Sequence, residues 1–415
     1  MAEEFFTHTL ANGVVLLGQR MPGVSSASMT VLLPAGASHD PDGAEGAAAV
    51  TADWVLRGAG GRSSRELNDA LDALGCQHDE SPQSEHIQLM AAQLGRNLSD
   101  VLALYADIVR RPALSDEAFE PCRGLALQDL ASLEDEPARK CNLLLRERFY
   151  PRPLGRCIYG HEDSLRAMSP GPVREHVRAR FRGPGTIVAV AGNIDWDAFA
   201  RDAEKAFGEL PGDAPPPVET KPPDRGVTHI AKQSAQTHLA LAHPAATVSD
   251  ERYYAARMAQ AVLSDGMASR LFTEVREKRG LVYHVSSRYH SLRGHAGMFT
   301  YAGTRPEVAQ QTFDVTVGEL RRLAEGIRDE EMARAKTQLR SALIMQGQST
   351  GARASAIAGD WYHLGRIRSL DEIQQAVEAV TEDEVMAYLK DFPAAGFTVL
   401  VIGPDPIDPG RTTEG

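Results

Sequence analysis

Hydrophobic and polar positions alternate between a two-residue and a three-to-four-residue period, and this alternation divides the chain into strands and helices. Residues 5–34 read as strands: an apolar start, Asn12-Gly13 as a hairpin turn, Val14–Leu17, then Ala27–Leu33. Helices are expected at about 45–57 and at 64–74. In the second, Ser63-x-x-Glu66 forms a capping box and Leu67, Leu71 and Leu74 share a face. A strand over 85–92 precedes helices at about 99–111 and 116–134, with Pro121 as an expected kink in the latter. A helix near 171–181, the strand 186–191 and a helix at 195–207 follow.

The same order then recurs. Strand 236–242 leads into helices 250–263 and 268–279 and strands 281–288 and 296–302. Helices at 305–324, 329–346, 351–364 and 381–390 precede the closing strand 397–402. Between the halves, residues 211–223 hold six of the chain's 24 prolines, the composition of an extended, semi-rigid linker. The pattern predicts an α+β protein of two homologous α/β-sandwich repeats, each an antiparallel-rich sheet covered by helices. The expected boundaries are 1–210, a Pro-rich linker at 211–224, and 225–415.

Composition narrows the function. With 44 Lys+Arg against 56 Asp+Glu, the net charge of −12 disfavours binding to DNA or RNA phosphates. No apolar run of about 18 residues is present to span a membrane. The start Met-Ala-Glu-Glu-Phe-Phe has acids where a signal peptide carries bases, so a cytoplasmic location is expected. Cys76, Cys122, Cys141 and Cys157 are widely spaced and read as reduced packing residues. Gly347-Gln-Ser349-Thr-Gly351 fits a serine-hydrolase pattern, but it falls between two helices instead of on a strand-to-helix turn. Gly58–Ser63 is a helix end and turn without the Lys-Ser/Thr of a phosphate loop.

One stretch is more specific. Gly46-Ala-Ala-Ala49-Val-Thr-Ala52-Asp53, followed by Arg57-Gly58, resembles the signature helix of the pitrilysin/insulinase family of inverted zincin metallopeptidases. In active members that helix reads Gly-x-x-His-x-x-Glu-His, because positions i, i+3 and i+4 share one helix face. There two histidines hold zinc and a glutamate takes a proton from the bound water. Here the three positions are Ala49, Ala52 and Asp53, so both imidazoles and the general base are missing. The family's third ligand position falls at Asp129, 76 residues beyond Asp53. Two carboxylates without imidazoles are a weak set for zinc.

The second half keeps the family's other signature. Ser269-Arg-Leu-Phe-Thr-Glu-Val-Arg276-Glu-Lys-Arg-Gly280-Leu-Val-Tyr283 is similar to the C-terminal motif in which an arginine and a tyrosine, seven residues apart, reach a zinc-bound substrate. The resemblance, which covers about residues 5–405, implies half an active site. Arg276 and Tyr283 would act on peptide substrates at the zinc of a homologous partner subunit, with no cofactor in this chain. The sheet edge near residues 84–92 would hold an extended peptide. The alternative is an inactive scaffold or assembly protein of the same family. A weaker third option is an autonomous peptidase with another metal at Asp53 and Asp129.

Overall fold

The computed structural model describes residues 3–410. The chain forms two compact units that are discontinuous in sequence. The first takes the chain up to Ser132, Arg156–Thr220 and Gln346–Ser369; the second takes Leu133–Gly155, Lys221–Met345 and the chain from Leu370. A unit boundary thus falls in the Pro-rich segment, at Thr220/Lys221, but each unit also owns a helix from the opposite half of the sequence.

The first unit is built on strands β1 (Glu4–Thr9), β2 (Val15–Arg20), β3 (Ser26–Leu33), β6 (Gln77–Pro82), β7 (Ile87–Leu94) and β8 (Ile187–Gly192), ordered β1-β2-β8-β3-β7-β6. A two-residue-strand hairpin, β4 (Gly58–Ala59) and β5 (Arg62–Ser63), lies apart from this sheet. Adjacent residues serve opposite faces of the pleat. Leu16, Met29, Val31, Leu33 and Val188 pack under α1 (Ala47–Trp54), α2 (Ser64–Ala73), α3 (Leu98–Arg110) and α4 (Asp116–Ser132). Leu17, Leu32, Ile187 and Ala189 face Ile357 and Ala358 of the helix Thr350–Leu364. Asn12-Gly13 turns the chain as expected, but within a longer connection, since β1 and β2 pair only as far as Thr9↔Val15. The amide of Asn12 instead donates to the carbonyls of Phe207 (2.8 Å) and Leu210 (3.0 Å).

In the second unit β9 (Val227–Ala231), β10 (Thr237–Pro244), β11 (Val282–Leu292), β12 (His295–Thr304) and β13 (Thr398–Gly403) run in the order β11-β12-β10-β13-β9. This is the first sheet's β6-β7-β3-β8-β2, with the one parallel pair, β13·β9 against β8·β2, at the same place. Sheet order therefore carries the duplication that the element order predicts, with β1 as an addition. The helix α5 (Pro137–Phe149) packs on this sheet, where Phe149 meets Phe299 edge-on at 5.2 Å. A side chain at Gly297 would collide with Phe149, its Cβ only 2.6 Å from the ring.

All four cysteines are buried and free. Among the described residues no helix is long and apolar enough to cross a membrane.

Desolvated histidines should make the fold acid-sensitive. Burial, with Arg180 next in effect, lowers His39 to about 3 and His176 to about 4. Burial alone lowers His243 to about 4. A base whose folded pKa lies below its unfolded value binds fewer protons when folded, so its contribution is intact above pH 6.5 and is lost as pH falls toward 4. Asp40, which burial pushes up to about 7, works in the opposite sense over the same range. The three histidines outweigh Asp40, and the lowered His238 opposes the raised Glu80 and Glu319. Thermal melts should fall between pH 6.5 and 5, with a net loss of about 3 kcal/mol. A melting temperature that is flat over that interval would contradict the buried-neutral assignment.

Candidate functional site

The helix bearing the degenerate motif is held at both ends. Gly46 precedes it with φ +104°, a conformation that favours glycine. The buried Asp40 carboxylate then accepts from the backbone N–H of Gly46 (2.7 Å) and of Ala48 (2.8 Å), so it satisfies two free donors at the positive end of the helix dipole. At the other end Trp54 is fully buried, edge-on to Phe119 at 4.9 Å, and its indole N–H donates to the carbonyl of Ser115 (3.1 Å).

Between these anchors Ala49, Ala52 and Asp53 share a face as the spacing predicts, but that face holds two methyl groups and one occupied carboxylate. Arg57, one turn on, donates Nη2 to Asp53 Oδ1 at 2.6 Å and Oδ2 at 2.9 Å, with Nε at 3.3 Å from Oδ2. Cys122 of α4 lies against this pair, and burial first, then the Asp53 carboxylate, push its thiol up to about 12. Asp129 continues the Cys122–Ala126 stripe of α4, yet it is exposed, and its backbone oxygen accepts from Ser132 Oγ at 2.7 Å. Helix α4 runs unbroken through Pro121.

Among the described residues no group of three or more His, Cys, Asp or Glu side chains is arranged to hold a metal. Two alanines, an ion-paired aspartate and an exposed aspartate do not fit zinc, which takes four N, S or O donors at a tetrahedral centre.

The edge expected at residues 84–92 is misplaced by one strand. β7 is internal, paired with β3 on one side and β6 on the other, so the edge is β6, Gln77–Pro82. Its sequence, Gln-His-Asp-Glu-Ser-Pro, shows no apolar alternation, which is why the pattern misses it. On this strand His78 Nδ1 meets Glu80 Oε1 at 2.8 Å. Burial raises the Glu80 carboxyl, and Asp53 is among the acids that add to the shift.

The second unit brings Arg276 and Tyr283 together by two one-residue irregularities. Where a helix over 268–279 is expected, Phe272–Glu277 forms a π turn, and the N–H of Lys278 reaches back five residues to the carbonyl of Thr273 (2.9 Å). Such turns are rare and concentrate at functional sites. Gly280, at φ +58°, reverses the chain while its N–H donates to the carbonyl of Arg276 (3.0 Å). β11 then opens on a register shift, with Val282 opposite Thr304 and His284 opposite Gly303. Tyr283 is the extra residue of that bulge, turned out so that it is 82% exposed.

The Arg276 guanidinium carbon stands 5.4 Å from the Tyr283 ring centroid and 4.8 Å from that of Phe272. It therefore stacks on two aromatic faces, the geometry of a cation–π contact. The Arg276 side chain makes no hydrogen bond or ion pair among the described residues. Sequence alone does not reveal Phe272 as the second ring, although its place four residues before Arg276 is the available signal.

Comparison with known proteins agrees with this architecture. The family model described as Insulinase (Peptidase family M16) matches residues 15–162, and the model described as Peptidase M16 inactive domain matches 168–339. A Streptomyces coelicolor protein described as an uncharacterized zinc protease is 29% identical over 95% of this chain and 89% of its own length. A Rickettsia bellii protein with the same description is 26% identical over 98% and 99%. The solved peptidase M16 inactive domain from Pseudomonas fluorescens shares the fold at TM-score 0.88 and 20% identity, covering 98% of this chain and 99% of that one. A protease from Helicobacter pylori does so at 0.86 and 16%, covering 97% and 100%. With its duplicated sheets, its degenerate motif helix and these matches in both halves, the chain belongs to the pitrilysin/insulinase (M16) peptidase family.

Proposed function

We propose that this chain is the non-zinc subunit of a heterodimeric peptidase. It would pair with a homologous zinc-bearing subunit and donate Arg276 and Tyr283 to the peptide bound there. The observation that carries this reading is the state of Arg276, a partly exposed guanidinium with no counter-ion among the described residues, stacked on Phe272 and on the outward-facing Tyr283. When water adds to a peptide carbonyl, negative charge develops on its oxygen. A guanidinium and a phenol held in advance can donate to that oxygen without reorganising. Substrates would be short unfolded peptides, and the outer edge of β6 offers backbone groups to an added strand.

The scaffold reading draws on the other unit, where Arg57 closes the degenerate motif on Asp53. Metal analysis addresses the first half of the proposal. After incubation with zinc and gel filtration, the purified chain is expected to retain less than one equivalent and to show no chelator-sensitive cleavage of a quenched peptide library. A stoichiometric zinc ion with chelator-sensitive turnover would overturn the assignment.

A further inference from the structure

The run Glu274-Val-Arg276-Glu-Lys278-Arg279 carries three cations within four residues, yet among the described residues only Arg276 of the three is left without an anion. Glu274 Oε1 takes Lys278 Nζ at 2.7 Å, and Oε2 takes Arg279 Nη1 at 2.8 Å; Arg279 Nη1 also donates to the Glu274 carbonyl at 2.8 Å. Arg322 approaches the same carboxylate at 3.8 Å while bonding Glu319. These cations, Lys278 first and Arg279 second among the groups that lower it, hold the Glu274 carboxyl at about 2. Glu274, Lys278 and Arg322 line a cleft of about 700 Å³ together with Arg270 and Glu331. Arg270 and Glu331 form a buried, two-pronged pair (2.9 and 2.8 Å).

The π turn explains the sorting. An i→i+5 turn holds roughly 4.4 residues, about 82° each, so positions i+4 and i+5 flank residue i while i+2 lies almost opposite. In an α-helix, at about 100° per residue, i+5 would be well off the face of i. The inserted residue therefore brings Arg279 beside Lys278 on Glu274, while Arg276, two residues on, faces the other side as it would in an α-helix, toward Phe272 and Tyr283.

We propose that Glu274 is a positioning residue for Arg276. By gathering Lys278 and Arg279 on the reverse face it locks the π turn, and so holds the Arg276 guanidinium on its two rings, free of any carboxylate that would compete with a substrate oxygen. The consequence for catalysis rests on the function proposed above; the positioning itself does not.

The test uses the intact chain alone. The Nε–Hε signal of Arg276, assigned by its loss in Arg276→Lys, should lie upfield of the other exposed arginines because of the two ring currents. In Glu274→Gln it should move to the exposed-arginine position, and in Glu274→Asp, which keeps the charge, it should lie between the two. An unmoved signal in Glu274→Gln overturns the inference, whatever the chain's function. In the assembled peptidase, Glu274→Gln should lower kcat about tenfold at unchanged KM, a smaller loss than that of Arg276→Ala. If Arg276→Ala leaves turnover unchanged while the signal still moves, the functional reading fails and the positioning stands. If Arg276→Ala abolishes turnover but Glu274→Gln changes neither signal nor kcat, only the positioning fails.

Discussion

Arg276→Ala should reduce kcat/KM of the assembled peptidase about 10²–10³-fold, the usual cost of removing one preorganised donor to a developing oxyanion. Tyr283→Phe keeps the ring under Arg276 and removes only the hydroxyl, so a smaller loss of about tenfold is expected. Arg276 has no carboxylate partner among the described residues, so its removal orphans no buried charge. Losing the contacts to Phe272 and Tyr283 should cost about 1 kcal/mol or less. The combination of a large kinetic effect and a small stability effect separates a residue that acts on substrate from one that holds the fold. Steady-state kinetics and thermal melts on the same preparations check it. A large drop in melting temperature with proportionate loss of activity would move Arg276 into the structural class.

Trp54→Ala should have the opposite signature. Trp54 is fully buried where α1 meets α4, with Phe119 edge-on to it and the Arg174 guanidinium 5.5 Å from its ring centroid. Truncation leaves a cavity and strands the Ser115 carbonyl, a loss of about 3–5 kcal/mol. Trp54→Phe keeps most of the ring and loses the N–H donor, for about 1–2 kcal/mol. Denaturant unfolding of the two variants measures the difference; equal losses would mean that the hydrogen bond, not the packing, anchors the motif helix. This dense anchoring makes α1 a well-formed helix even though its three motif positions hold Ala49, Ala52 and an ion-paired Asp53.

Much of this was legible in the sequence, because periodicity reports local burial. The Ser63–Glu66 capping box forms with both reciprocal bonds, and β3, β8 and β13 fall within one residue of the apolar runs that mark them. The duplication was legible as well, since element order survives divergence of side chains. Three features were not. β6 is an edge strand with solvent on one side, so it needs no alternating apolar residues and shows none. The assignment of α5 to the second unit and of Thr350–Leu364 to the first is a long-range packing choice that no local pattern encodes. The π turn at Phe272–Glu277 and the bulge at Tyr283 each add a single residue, too short a disturbance to shift a periodicity, though together they set the candidate site.

On the proposed function this chain completes an active site it cannot form by itself. The direct measurement is a titration of a zinc-loaded homologous subunit carrying His-x-x-Glu-His with this chain, following cleavage of a quenched peptide. Either chain alone should show negligible turnover, the mixture a rise that saturates at one equivalent, and the mixture with Arg276→Ala no rise. Full turnover by the zinc-bearing subunit alone, or an equal rise with Arg276→Ala, would contradict the proposed function.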